Sequence, residues 1–247
     1  MKKSTHSWPT PHELHKWYNA SLGQRLWVLE QQQCDQLLTK VFGYYAVSLG
    51  PLTSLNVDQC TILNKLEISP ECGLNPRACL TADFQTLPFP DQSIDLFVLP
   101  HVLEFAKDPK AILAEVSRCL IAGGSVLILG FNARSLFGLW HWLQGKSKQF
   151  PWRGKFSSLF RLRHDLREVD FAIEEDHSFY FRPPFISEGA LKKLRFLEVL
   201  GPLLWPSCGA CYAILAHKEV GCLTPIKSFK KVAQPIKDLV AAHRESV

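Results

Sequence analysis

Two acidic residues, one histidine and one glycine stand where strands end, which is where polar groups of a ligand are met. Glu67 lies in Leu66-Glu67-Ile68-Ser69-Pro70, Asp83 follows Ala82, His101 closes the apolar run Leu96-Phe97-Val98-Leu99-Pro100, and Gly50 follows Val47-Ser48-Leu49. A carboxylate at a strand end accepts hydrogen bonds from paired hydroxyls, as in dinucleotide-binding folds. A histidine has an unperturbed pKa close to neutrality and so can move a proton. Each residue also has a plainer reading. Glu67 is then a solvated strand-end acid, Asp83 caps a turn through an Asx bond, and His101 packs or hydrogen-bonds at its strand end.

The elements that would position these groups follow from periodicity. Residues 44–49, 61–68 and 78–82 read as strands, and 94–99 and 125–130 are the continuous apolar runs of strands buried on both faces of a parallel sheet. Between the last two, Asp108 caps and Pro109 opens a helix with Ile112, Leu113, Val116, Cys119 and Leu120 on one stripe. Gly123 offers the left-handed position after it. Beyond Phe131, residues 136–142, 157–169 and 187–200 read as helices and 171–181 and 210–216 as strands. Strands alternating with helices predict a doubly wound α/β fold. Ahead of it, Thr10-Pro11-His12-Glu13 forms a capping box, and apolar residues from Leu22 to Val41 recur at helical spacing. These predict an N-terminal helical extension over 1–43, a main domain over 44–222 and a frayed basic tail over 223–247.

Composition sets outer limits. The 247 residues fit one α/β domain with extensions, and 47% hydrophobic residues exclude a wholly disordered chain. Apolar runs are strand-length, far short of a bilayer span, and no apolar stretch follows Lys2-Lys3, so neither membrane association nor a signal peptide is expected and the location is read as cytoplasmic. The eight cysteines are irregularly spaced, which suits reduced thiols. Cys208-Gly209-Ala210-Cys211 has no second ligand pair to complete a zinc site, so no metal is expected and the pair is read as core packing. The net charge of +5 is concentrated. Lys146, Lys148, Arg153, Lys155, Arg161, Arg163 and Arg167 alternate with Trp140, Trp142, Phe150, Trp152, Phe156 and Phe160, and Lys227, Lys230, Lys231 and Lys237 lie in the tail.

The series Ala82-Asp83, Leu87-Pro88-Phe89, Asp91, Asp95, the strand to Leu99, Leu103-Glu104 and the helix running to Gly123-Gly124 resembles the second half of a class I S-adenosylmethionine-dependent methyltransferase of the type 11 family. The resemblance implies a Rossmann-like, mostly parallel seven-stranded sheet whose last strand is antiparallel, with S-adenosylmethionine as cofactor. It further implies backbone approach at Gly50, ribose recognition by Glu67, adenine recognition by Asp83 with Phe84 flanking the base, and a transfer site lined by Leu99, Pro100 and His101, where His101 is the candidate catalytic base. The chain departs from the family at the glycine-rich loop, where Val47-Ser48-Leu49-Gly50-Pro51 keeps one glycine and Ser48 replaces the acid. Two outcomes follow, a methyltransferase with altered cofactor binding or a non-catalytic scaffold. A nicotinamide enzyme lacks its glycine fingerprint here. The basic aromatic insertion, about 140–170, falls where this family often builds the substrate side. It suits an anionic small molecule or RNA bound through 146–167, or else forms a packed lid with solvated cations. An unidentified acceptor, a small molecule by preference, is expected.

Overall fold

The computed structural model describes residues 8–50, 60–70, 80–144, 149–184 and 196–219. In chain order these form α1 (Pro11–Tyr18), α2 (Ser21–Leu38), β1 (Tyr45–Leu49), β2 (Asn64–Ser69), β3 (Leu80–Thr81), β4 (Ile94–Pro100), α3 (Pro109–Cys119), β5 (Leu120–Phe131), α4 (Leu136–Gln144), α5 (Leu159–Glu168), β6 (Phe171–Phe179), α6 (Phe196–Leu204) and β7 (Cys211–Lys218). The strands make one seven-stranded sheet of order β3-β2-β1-β4-β5-β7-β6. The five strands β3, β2, β1, β4 and β5 are parallel, and β7 runs antiparallel to both β5 and β6. This is the doubly wound arrangement that the sequence resemblance implies.

Burial explains why the central strands lack polar alternation. Val47, Leu49, Phe97, Leu99, Val126 and Ile128 pack with α3 and α5 on one face, while Ala46, Leu96, Val98, Leu127 and Leu129 pack with α2 on the other. At the edges α2 is also pinned by polar contacts. Its Gln33 Oε1 lies 2.7 Å from His177 Nδ1 of β6, and Lys40 just beyond it pairs with Glu175 of the same strand.

Local chemistry sets most element ends. Thr10 accepts from the Glu13 amide while the Glu13 carboxylate accepts from the Thr10 amide, which completes the capping box at α1. Asp108 caps α3 by accepting from the amides of Lys110 and Ala111. The far end of α3 differs from expectation. The helix stops at Cys119, and Leu120 turns extended (ψ 139°) to pair with Ile94. Gly123 does take a positive φ of 76°, but inside β5, where the register with β4 shifts. Pairing with the start of β4 displaces the further helical turn that Leu120 would have joined. Residues 78–79 and 187–195 of the expected third strand and last helix lie outside the described residues. Cys208 and Cys211 are free thiols, with Cys211 packed in the core.

The Asp108 cap yields a direct test. Asp108→Ala should lower the unfolding free energy by about 1 kcal/mol, read from the urea midpoint at unchanged m-value, with Asp108→Asn recovering most of the loss.

Candidate active site

The strand order reverses between β1 and β4, and in open α/β sheets ligands bind outside the carboxyl ends of the strands at such a switch point. Gly50 stands there at φ 145°. A Cβ on Gly50 would lie 3.3 Å from Val102 Cγ2 and 3.5 Å from the Pro100 carbonyl oxygen, so the chain leaving β1 passes directly against the chain leaving β4. The Gly50 amide donates to the Ile68 carbonyl, which extends the β1–β2 ladder by one bond. Ser48 is the register partner of Glu67, and the Ala82 amide donates to the Ser69 carbonyl. Gly50, Glu67 and Asp83 are therefore brought to the carboxyl ends of three adjacent strands, a span of about 10 Å at ordinary strand spacing.

Asp83 is exposed, and its Oδ1 accepts from the Gln85 amide at 3.0 Å. That is an Asx turn, and it engages one of the two carboxylate oxygens. Glu67 is half-buried on the face of β2 opposite Ile68.

Phe84, expected to flank an adenine, turns inward. Its ring is 1% exposed, belongs to the core under the sheet, and meets Trp8 edge-on with centroids 5.2 Å apart. An aromatic ring with that much apolar surface gains more from the core than from the rim. Leu99 is likewise fully buried between strands and presents no side chain to the rim, whereas Pro100 lies beside Gly50.

His101 has a different setting from that of an accessible base. It is 1% exposed, adopts φ 52°, and its amide donates to the Leu129 carbonyl. Its Nε2 lies 2.9 Å from Glu30 Oε1 and its Nδ1 3.3 Å from Glu104 Oε1. Both carboxylates are buried, and Glu104 Oε1 also accepts from the Phe131 amide at 2.7 Å. The imidazole stacks on Phe131 with centroids 4.3 Å apart. Burial alone would strip the ring of its proton, but the Glu30 charge and hydrogen bonds to Glu104 and Glu30 outweigh it and hold the pKa up at about 10. A ring protonated at neutral pH, with a carboxylate at each nitrogen, has no lone pair with which to take a proton from an acceptor. Tyr18 hydrogen-bonds Glu30, and burial together with the Glu30 charge pushes its phenol pKa up.

Glu30 was not singled out from sequence, although a signal was present. It stands four residues from Leu26 and from Cys34, within the buried stripe of α2, and a lone acid in such a stripe demands a partner.

The seven-stranded sheet, five strands parallel and β7 antiparallel between β5 and β6, is that of the class I methyltransferase fold. Residues 46–128 match the family described as a methyltransferase domain. The chain is 28% identical to the uncharacterized protein YafS of Escherichia coli (strain K12) over 218 residues, 87% of this chain and 85% of that one. Among solved structures it is similar to an S-adenosylmethionine-dependent methyltransferase of Thermotoga maritima, with TM-score 0.60 and 19% identity over 84% of this chain and 95% of the other. It is also similar to the cyclase SpnF, with TM-score 0.53 and 16% identity over 76% of this chain and 81% of the other.

The buried cluster predicts a pH signature. Because the folded pKa of His101, about 10, lies above the unperturbed 6.5, the folded state holds the extra proton. Its stabilisation is complete below about pH 6.5, declines above that and is gone by about pH 10. Glu30→Gln should cost roughly 3–5 kcal/mol at pH 6.5, and this deficit should shrink as pH rises toward 10, read from urea midpoints of both proteins. A deficit constant with pH would show that His101 is not protonated in the fold.

Proposed function

We propose that the protein transfers a methyl group from S-adenosylmethionine to a small-molecule acceptor. The observation that carries this reading is the placement of Gly50, Glu67 and Asp83 along the carboxyl ends of β1, β2 and β3, beside the β1–β4 switch point. Bound there, the cofactor would supply a sulfonium methyl group for the acceptor's nucleophile, the electron pair of the carbon–sulfur bond remaining on sulfur. Glu67 would hold the ribose hydroxyls and Asp83 the adenine amine, with Asp83 Oδ1 already engaged in its own turn. Gly50 and Pro100 shape the crevice floor through backbone approach. His101 acts as a positioning residue, holding the turn after Pro100 through its bonds to Glu30 and Glu104. Any proton on the acceptor then leaves to solvent or to another group.

A non-catalytic binding role on the same scaffold is the competing reading, and Ser48 in place of the usual acid favours it. RNA as acceptor is less supported. Arg153 pairs with Glu13 and Arg163 with Asp176, so these cations of the basic stretch already have internal partners.

Titration calorimetry with S-adenosylmethionine and S-adenosylhomocysteine decides between them. Both ligands should bind, and Glu67→Gln and Asp83→Ala should each weaken binding roughly ten- to hundredfold, as expected for losing a hydrogen bond to a charged group. Absence of binding by the wild-type protein would leave the scaffold reading.

A further inference from the structure

Just past the carboxyl end of β5 lies an open cleft of about 900 Å³, bounded by the first turns of α4 and by residues 155–156. It is at the upper end of the size range for small-molecule sites. Arg134, Lys155, His141, Trp142 and Phe156 line it, and no carboxylate does among the described residues. The backbone that carries the cations is firmly placed. The Arg134 amide donates to Asn132 Oδ1 at 3.0 Å, and the fully buried Asn132 in turn donates to the carbonyls of Ser207 and Gly209. The Lys155 amide donates to the Glu104 carbonyl at 2.8 Å, which ties this side of the cleft to the loop following His101.

The side chains are arranged the other way. Arg134 and Lys155 are exposed and have no acidic partner among the described residues, whereas Arg118, Lys110, Arg153 and Arg163 are all paired. Trp142 leaves 74% of its surface exposed beside them. His141 stacks on Phe156 at 4.3 Å, and burial lowers its pKa, so the cleft's charge near neutrality is that of the two cations. Uncompensated cations next to an unpacked aromatic face recognise a ligand that is anionic at one end and flat and apolar at the other.

We infer that this cleft binds the methyl acceptor and that the acceptor is a small anion with a flat apolar body. Arg134 and Lys155 hold the anionic group, and Trp142 and Phe156 hold the body. The inference rests on the methyl-transfer reading for the word acceptor, but the binding chemistry stands on the cleft itself. Two unpaired cations are few for a nucleic-acid surface, where phosphate contacts accumulate along a groove.

The test uses 2-naphthoate as probe, neutral 2-naphthalenemethanol as control, and S-adenosylhomocysteine measured in parallel by calorimetry on the full chain. The wild-type protein should bind 2-naphthoate at least tenfold more tightly than the alcohol. Arg134→Gln, Lys155→Gln and Trp142→Ala should each weaken naphthoate at least fivefold while S-adenosylhomocysteine affinity is unchanged, which also reports an intact fold. Equal affinity for acid and alcohol, or variants that leave naphthoate binding unchanged, would overturn the inference. So would absent naphthoate binding with retention on polyuridylate or on anionic phosphatidylglycerol vesicles lost in the same variants. If naphthoate behaves as expected but S-adenosylhomocysteine fails to bind wild type, the cleft stands as an anion site and the methyl-transfer reading falls.

Discussion

Taking an imidazolium and two carboxylates out of water is expensive, and their mutual attraction only roughly offsets that cost. A hydrophobic trio of similar volume could hold α2 against β4 about as well. What apolar side chains could not do is specify direction. The Glu30–His101–Glu104 cluster fixes a residue in the left-handed region right after Pro100, where the chain must leave β4 without covering the crevice. Glu104 also takes the Phe131 amide, so the same group registers the end of β5. The charged ring over Phe131 adds a cation–π contact in a dry setting. The ends of β4 and β5 and helix α2 are thereby set relative to one another by three side chains.

That constraint bears on the sparse glycine loop. A close approach between the chains leaving β1 and β4 is needed whether or not several glycines follow β1, and here one position carries it. A Cβ at residue 50 would crowd the Val102 methyl at 3.3 Å and just touch the Pro100 carbonyl, and its φ of 145° is costly for other residues.

Legibility in the sequence divides along the same line. β4, β5 and α3 were readable because their causes are local: an unbroken apolar run, a capping aspartate, a proline at the first helical position. Asp83 and Glu67 were readable as strand-end acids because strand ends are local too. The inward turn of Phe84 was not, since it depends on Trp8, seventy-six residues away in sequence. His101 could be read either as a base or as a packed strand-end histidine; Glu104, three residues on, was a local partner, but Glu30 is hidden in the apolar stripe of α2 and was not legible. The basic stretch allowed two readings, a binding surface or a packed lid, and sequence could not choose between them. Its charges are contiguous in sequence, but Glu13 and Asp176 neutralise two of them in space.

The aromatic residues of that stretch show how the fold separates scaffold from chemistry. His101 stacks on Phe131, Phe131 on Phe156, and Phe156 on His141, a continuous ladder from the buried cation to the cleft wall. Phe137 and Trp152 extend it sideways, and Trp17 of α1 closes over Trp152. Most of the described rings of the insertion thus serve packing beside the carboxyl end of β5. The exceptions are informative, because Trp142 and Phe160 remain largely exposed. A fold shared by a methyltransferase and a cyclase does not dictate its reaction. The groups that could differ between such reactions are those left unpacked, and beside Trp142 these are two cations with no acidic partner among the described residues.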